Sequence, residues 1–307
     1  MQAFGVSLQT DIRQQDWENA RTDLCNISYV VSGYAATKRC LDYALEIATL
    51  TKDAAGLFVT RMDLFGTLNA IGQWKNADNL WKLLDPMGRT WPRHNYRPGE
   101  AESARARFLL YRGRVKEDDF SHAEQLAREG KNHAGLRVII ALRGEWLLVK
   151  RKWSRAAENL NEAVRMAREI GAADARAETY LALAKFHLQQ LSNPKQVVEQ
   201  LANAKEVSRL ALAELCFAIG ENERSKEHAK VAYKYAWNDG EPYVNRYRLD
   251  RVTRLLKRLG AEVPKLPPYD PQKDPKFPWE SEVAAAIEKL RSKSKSEKSK
   301  RRSVKKL

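Results

Sequence analysis

Residues 136–171 read LRVIIALRGEWLLVKRKWSRAAENLNEAVRMAREIG. Apolar residues recur here at spacings of three and four, with no sustained alternation, which is the pattern of amphipathic helices and not of strands. Gly144 and Leu147 fall on a first helix, Trp153 opens a second, and Ala156, Leu160 and Ala163 continue it. Small residues at these places let two antiparallel helices approach closely. A large residue at the start of the second helix then plugs the gap to the next pair. The same order recurs as Trp74, Ala77, Trp81, Leu84, as Phe120, Ala123, Ala127, Gly130, and less regularly as Tyr34, Thr37, Leu41, Ala44. Two further copies, opening at Pro194 and Asn222, are degenerate. Gly72 and Gly220 stand just before second helices, where the chain has to reverse.

These residues resemble the tetratricopeptide repeat over roughly residues 17–237, best at 136–171 and well at 54–85. The resemblance implies an all-α fold, a right-handed solenoid of antiparallel helix pairs. Successive copies are 28 to 46 residues apart, so the repeats are irregular. The stretch DWENARTDLCNISYVVSGYAATKRCLDYALEIATLTKDAAG (16–56) is similar to the sensor arrays of bacterial signal-transduction NTPases of the STAND and NACHT classes. No GxxxxGK[ST] phosphate loop occurs anywhere in the chain, so the likeness is to the sensor half alone. It implies an adaptor, scaffold or ligand sensor of a signalling or defence complex, with an NTPase or protease as the candidate partner.

Charge and proline divide the chain further. The net charge is +15, but residues 291–307 (RSKSKSEKSKRRSVKKL) hold nine Lys or Arg against one Glu, or +8, which leaves +7 for the other 290 residues. Six of the eleven prolines lie in PKLPPYDPQKDPKFP (264–278), a stretch that cannot be continuous helix. The expected organisation is a helical repeat domain over 1–263, closed by a capping helix, then a proline-rich connector at 264–278. A short helix follows at 279–290, then a basic disordered tail at 291–307. The capping helix is drawn from YVNRYRLDRVTRLLKRLG (243–260), whose apolar stripe alternates with outward arginines.

Catalytic signatures are missing from the sequence. Five histidines show no metal spacing, there is no Cys-x-x-Cys pair, and no GxSxG elbow occurs. The three cysteines are odd in number and far apart, which suggests a reducing compartment, with Cys25 and Cys40 as core filler. Asn26-Ile27-Ser28 fits a glycosylation pattern by chance, since no secretory leader precedes it. The chain is therefore expected to be a cytoplasmic, non-enzymatic protein that needs no cofactor or metal and does not enter membranes.

By the resemblance, inward positions on the first helices would line a concave groove for a peptide or protein: Asn19 and Asn26, Asn69, Arg105 and Arg112, Glu145, and Gln189. Arginine and asparagine suit a peptide's carboxylates and backbone amides. Arg105, Arg107, Arg112 and Arg114 crowd one short stretch and suggest an acidic ligand. The insertion GRTWPRHNYRPGE (88–100) offers Trp91, Arg93, Tyr96 and Arg97 as a recognition loop, or else folds back as a cap. An alternative is a nucleic-acid-binding repeat that uses the groove arginines and the basic tail to follow phosphates.

Overall fold

The computed structural model describes residues 2–90, 98–204 and 207–304. Among them are fifteen α-helices and no strand. The first five are α1 (Gln2–Gln14), α2 (Trp17–Val30), α3 (Tyr34–Thr51), α4 (Ala54–Ala70) and α5 (Trp74–Thr90). Then come α6 (Glu100–Tyr111), α7 (Glu117–Glu129), α8 (His133–Val149), α9 (Trp153–Glu169) and α10 (Ala175–His187). The remainder are α11 (Pro194–Ala202), α12 (Arg209–Ala218), α13 (Asn222–Trp237), α14 (Arg246–Arg258) and α15 (Glu280–Val304). Within each of two units described next, consecutive helices pack on one another in the manner of a helical repeat, except α15, which packs on α1 and α3. The expected single array over 1–263 is replaced by two compact units. One holds Met1–Thr90, Asp239–Tyr243 and Pro268–Leu307; the other holds Trp91–Asn238 and Val244–Pro267.

In the first unit, α2 pairs with α3 and α4 with α5, while α1 and α15 cover the outer side of the first pair. Side-chain caps fix the helix starts: the Asp16 carboxylate accepts from the Asn19 amide, and Asp53 accepts from the Gly56 amide. The start of α3 has no cap of its own, because Gly33 stands at φ +98°. Its cap comes from far along the chain, where Asp239 accepts the Ala35 N–H at 2.9 Å. Cys25, Cys40, Leu41, Ala44 and Ile47 are buried between the helices, as core filler should be.

The C-terminal segment departs from expectation. Residues 264–278 are extended apart from a 3-10 turn at Pro271–Lys273, yet the end of this stretch is docked on the first unit. Arg39 reaches Asp274, the Pro275 carbonyl at 2.6 Å and Glu280 at 2.7 Å, with its guanidinium over the Phe277 ring. Phe277 stacks on Trp279, which is buried with its edge toward Tyr43. Val283, Ala286 and Ile287, one stripe of α15, are buried as this helix packs on α1 and α3. The helix expected to end at 290 continues to Val304, so residues 291–304 are helical and not the disordered tail. Lysine and arginine are good helix formers, no Gly or Pro interrupts the run, and the packed first turns have already met the cost of nucleation.

In the second unit the pairs are α6 with α7, α8 with α9, α10 with α11 and α12 with α13, and α14 caps the last. The decisive repeat behaves as its sequence requires. A Cβ at Gly144 would lie 2.6 Å from Leu160 Cγ, so only glycine permits this approach of α8 to α9. Ala156, Leu160 and Ala163 are fully buried, and Trp153 opens α9. At Gly220 (φ +85°) the Glu221 amide reaches back to the Cys216 carbonyl at 2.9 Å, the reversal expected before α13. The most divergent copy makes the shortest α-helix among the described residues, α11, in which Val198 alone is buried. As expected of a cap, α14 buries Leu249, Val252, Leu255 and Leu256 with α13.

Candidate functional site

On α2 of the first unit, the residues facing away from the core form one stripe: Asn19, Thr22, Asn26, Tyr29 and Val30. Asn19 is exposed, and both its backbone N–H and its side-chain amide go to Asp16, so it helps to cap the helix. Asn26 is half-buried, and its amide has no hydrogen-bond partner among the described residues. Tyr29 and Val30 are 68% and 48% exposed, unusual for large apolar side chains on an ordered helix. The Tyr29 hydroxyl donates to Asp63 of the adjacent α4 at 2.5 Å, joining the two first helices into one surface. Also on α4, Asn69 is only 2% exposed and its Oδ1 has no hydrogen-bond partner. On α2, Asp23 Oδ2 is another such atom.

The second unit gives its inward residues partners within the chain. Arg105 and Arg112 hold their guanidiniums 4.8 and 5.3 Å from the ring of buried Phe108. Glu145, 5% exposed, takes an ion pair from Arg176 at 2.7 Å. Gln189 is not on a helix face at all: it stands past the C-cap of α10 at φ +58°, exposed in the turn, and leaves the candidate groove. Trp91, Arg93, Tyr96 and Arg97 lie outside the described residues.

Six residues absent from the sequence-derived set complete a polar network around Glu145. Arg176 and Tyr180 come from α10, Glu214 from α12, Tyr247 and Arg251 from α14, and Tyr111 from the end of α6. Arg251 grips Glu214 with Nε at 3.2 Å and Nη2 at 2.7 and 2.6 Å, and Nη1 donates to the Tyr247 hydroxyl at 3.3 Å. Tyr247 stacks on Tyr111 with centroids 4.2 Å apart. The guanidiniums of Arg176 and Arg251 lie 6.0 and 5.6 Å from the ring of Tyr180, itself 1% exposed. Burial pushes the Tyr180 and Tyr247 hydroxyls up from their ordinary values, so both remain donors at neutral pH. For Arg251, burial acts downward but the facing Glu214 outweighs it, and the guanidinium stays charged. The signal in the sequence is an i, i+4 pairing of Arg and Tyr, RAETY on α10 and YRLDR on α14.

The three cysteine thiols are buried. Burial pushes the Cys25 thiol up, and pushes Cys40 to about 12 and Cys216 to about 11, so thiolate nucleophiles do not form near neutral pH. His187 stacks on Trp153 with centroids 4.0 Å apart. No grouping of three His, Cys, Asp or Glu suited to a metal occurs among the described residues. No described helix is long and apolar enough to cross a membrane. Compared with models of known protein families and with curated proteins, the chain matches none.

Proposed function

We propose that the chain is a non-catalytic interaction module of tetratricopeptide-repeat type, an adaptor, scaffold or ligand sensor that binds a protein or peptide partner. The supporting observation is the α2 stripe: two large apolar side chains held out to solvent beside half-exposed Asn26. Tyrosine anchors flanked by polar groups are typical of residues that dominate a binding free energy. Any chemistry would then belong to the partner, for which the resemblance to sensor arrays suggests an NTPase or protease in a cytoplasmic signalling or defence pathway.

The test is paired capture from nuclease-treated lysate with the full chain and with Tyr29→Ser, Val30→Ser. A stoichiometric protein held by the first and lost by the second supports the proposal. Equal capture by both removes the α2 stripe from it. Arg105→Glu with Arg112→Glu then asks whether the partner presents acidic residues.

A second reading, nucleic-acid binding, draws support from α15, which carries residues 291–304 onward as helix with exposed Arg291, Lys293 and Lys295. Deleting 291–307 should then flatten the fall of nucleic-acid affinity with salt.

A further inference from the structure

The α2 stripe has a counterpart on α4. Val59, Met62, Asp63, Gly66 and Ala70 recur at spacings of three and four on the side of α4 turned away from its buried residues. Gly66 is exposed, and a Cβ added there would meet nothing within 4 Å. Glycine inside a helix is less stable than alanine, and Gly144 shows what ordinarily repays it: the close approach of Leu160 from α9. Gly66 has no such neighbour. A helical glycine with open space above it instead lets a group from outside come directly against the backbone. Beside this hollow stands Tyr29, 68% exposed on α2 and joined to α4 by its hydrogen bond to Asp63, with Val30 next to it. Asp63 and Gly66 are three residues apart on one helix, so the ring and the hollow adjoin on a single face.

Charge selects the occupant. The chain carries a net charge of +15, yet this face displays no Lys or Arg. On α2 it continues through uncharged Asn19, Thr22 and Asn26, and its one carboxylate, Asp63, already accepts from Tyr29. An acidic or nucleic-acid ligand would find no countercharge here. Two copies of a cationic chain repel wherever their charged surfaces meet, so an uncharged face is where they approach at least cost. A two-fold contact further requires that one face carry both a projection and the recess that receives it. Tyr29 and Gly66 are such a pair. We propose that the α2–α4 face binds the same face of a second copy of this chain, with the Tyr29 ring of each copy against Gly66 of the other. The proposal rests on the reading of the α2 stripe as a binding surface, and names its partner.

Sedimentation equilibrium of the nuclease-treated full chain across the micromolar range tests it. The expected result is a reversible approach to twice the 35.1 kDa of the single chain. The dimer should be at least as tight in about 0.5 M salt as in about 0.05 M, because added ions screen the repulsion between two cationic copies without weakening an uncharged contact. Gly66→Leu fills the hollow and should weaken the dimer about tenfold or more. At concentrations where both chains are monomeric, that variant should melt no lower than the original, since nothing opposes the new side chain and leucine is the better helix former. Tyr29→Ser should weaken the dimer by a similar factor, about tenfold. Three results would overturn the proposal: a chain that stays monomeric, a dimer that dissociates as salt is raised, or a folded Gly66→Leu variant that dimerises unchanged. A monomeric chain would still leave the α2 stripe open to a different protein, which the paired capture tests on its own.

Discussion

The two units put polar residues on their first helices in similar numbers, but the residues meet different fates. In the second unit, side chains from α6, α8, α10, α12 and α14 converge until Arg251 makes four hydrogen bonds and Tyr111 lies flat on Tyr247. In the first unit, α2 and α4 touch through Tyr29 and Asp63, while the buried Oδ1 of Asn69 has no partner and Tyr29 and Val30 stand in solvent. A capping helix accounts for the contrast within the second unit, since Tyr247 and Arg251 both arrive on α14. Groups left unsatisfied on an ordered surface cost stability, and such costs persist chiefly where binding removes them. On the proposed function, macromolecular binding would fall to the first unit.

The largest expected effect comes from breaking the first unit where its outer cover is anchored. Trp279→Ala removes a buried indole from Phe277, Tyr43 and the Gly5 backbone, and should cost about 3–5 kcal/mol in denaturant unfolding. Early proteolysis of the C-terminal segment should accompany it, with the second unit still resistant. Next in size is Arg251→Ala, which leaves Glu214 half-buried without its partner and should cost about 2–3 kcal/mol, less than a fully buried pair because water reaches the carboxylate. Arg251→Ala combined with Glu214→Ala should recover part of that loss in a double-mutant cycle.

Asn69→Leu sharpens the comparison from the other side. Replacing a buried unsatisfied acceptor with an apolar side chain should leave stability unchanged or raise it by up to about 1 kcal/mol. A loss of several kcal/mol would show that the Asn69 amide is part of the packing.

The smallest effect is a pH dependence. Burial, with Arg209 and Arg224 nearby, holds His228 below its ordinary range. The unfolded chain therefore binds the proton more readily. Stability is full above the unfolded value of about 6.5, falls as pH drops below it, and levels off once the folded group has also protonated. His228→Gln should flatten the thermal midpoint over that acid window.

The helix pairs were legible because their spacing is dictated by packing: Gly144, Ala156 and Leu160 have to sit where they do for α8 to meet α9. Glu145 was legible as an inward residue, but its partners were not. Arg176 and Arg251 are 75 residues apart in a chain with 54 basic side chains, and only the return of α14 brings them to one ring. Gln189 was misplaced because α10 ends two residues earlier, at His187, and Gln189 itself takes a left-handed conformation that no glycine announces. Composition read the basic segment as disorder. Residues 280–290 instead anchor a helix into which 291–304 extend, a tertiary effect that local hydrophobicity does not carry.

Hydrogen–deuterium exchange of the full chain, alone and with a captured partner at saturation, tests the central claim most directly. Protection is expected over residues 19–30 of α2 and 59–70 of α4, with exchange over 105–112 and 291–304 little changed. Protection confined to 291–304, or its absence from α2 and α4, would contradict the assignment of partner binding to the first unit.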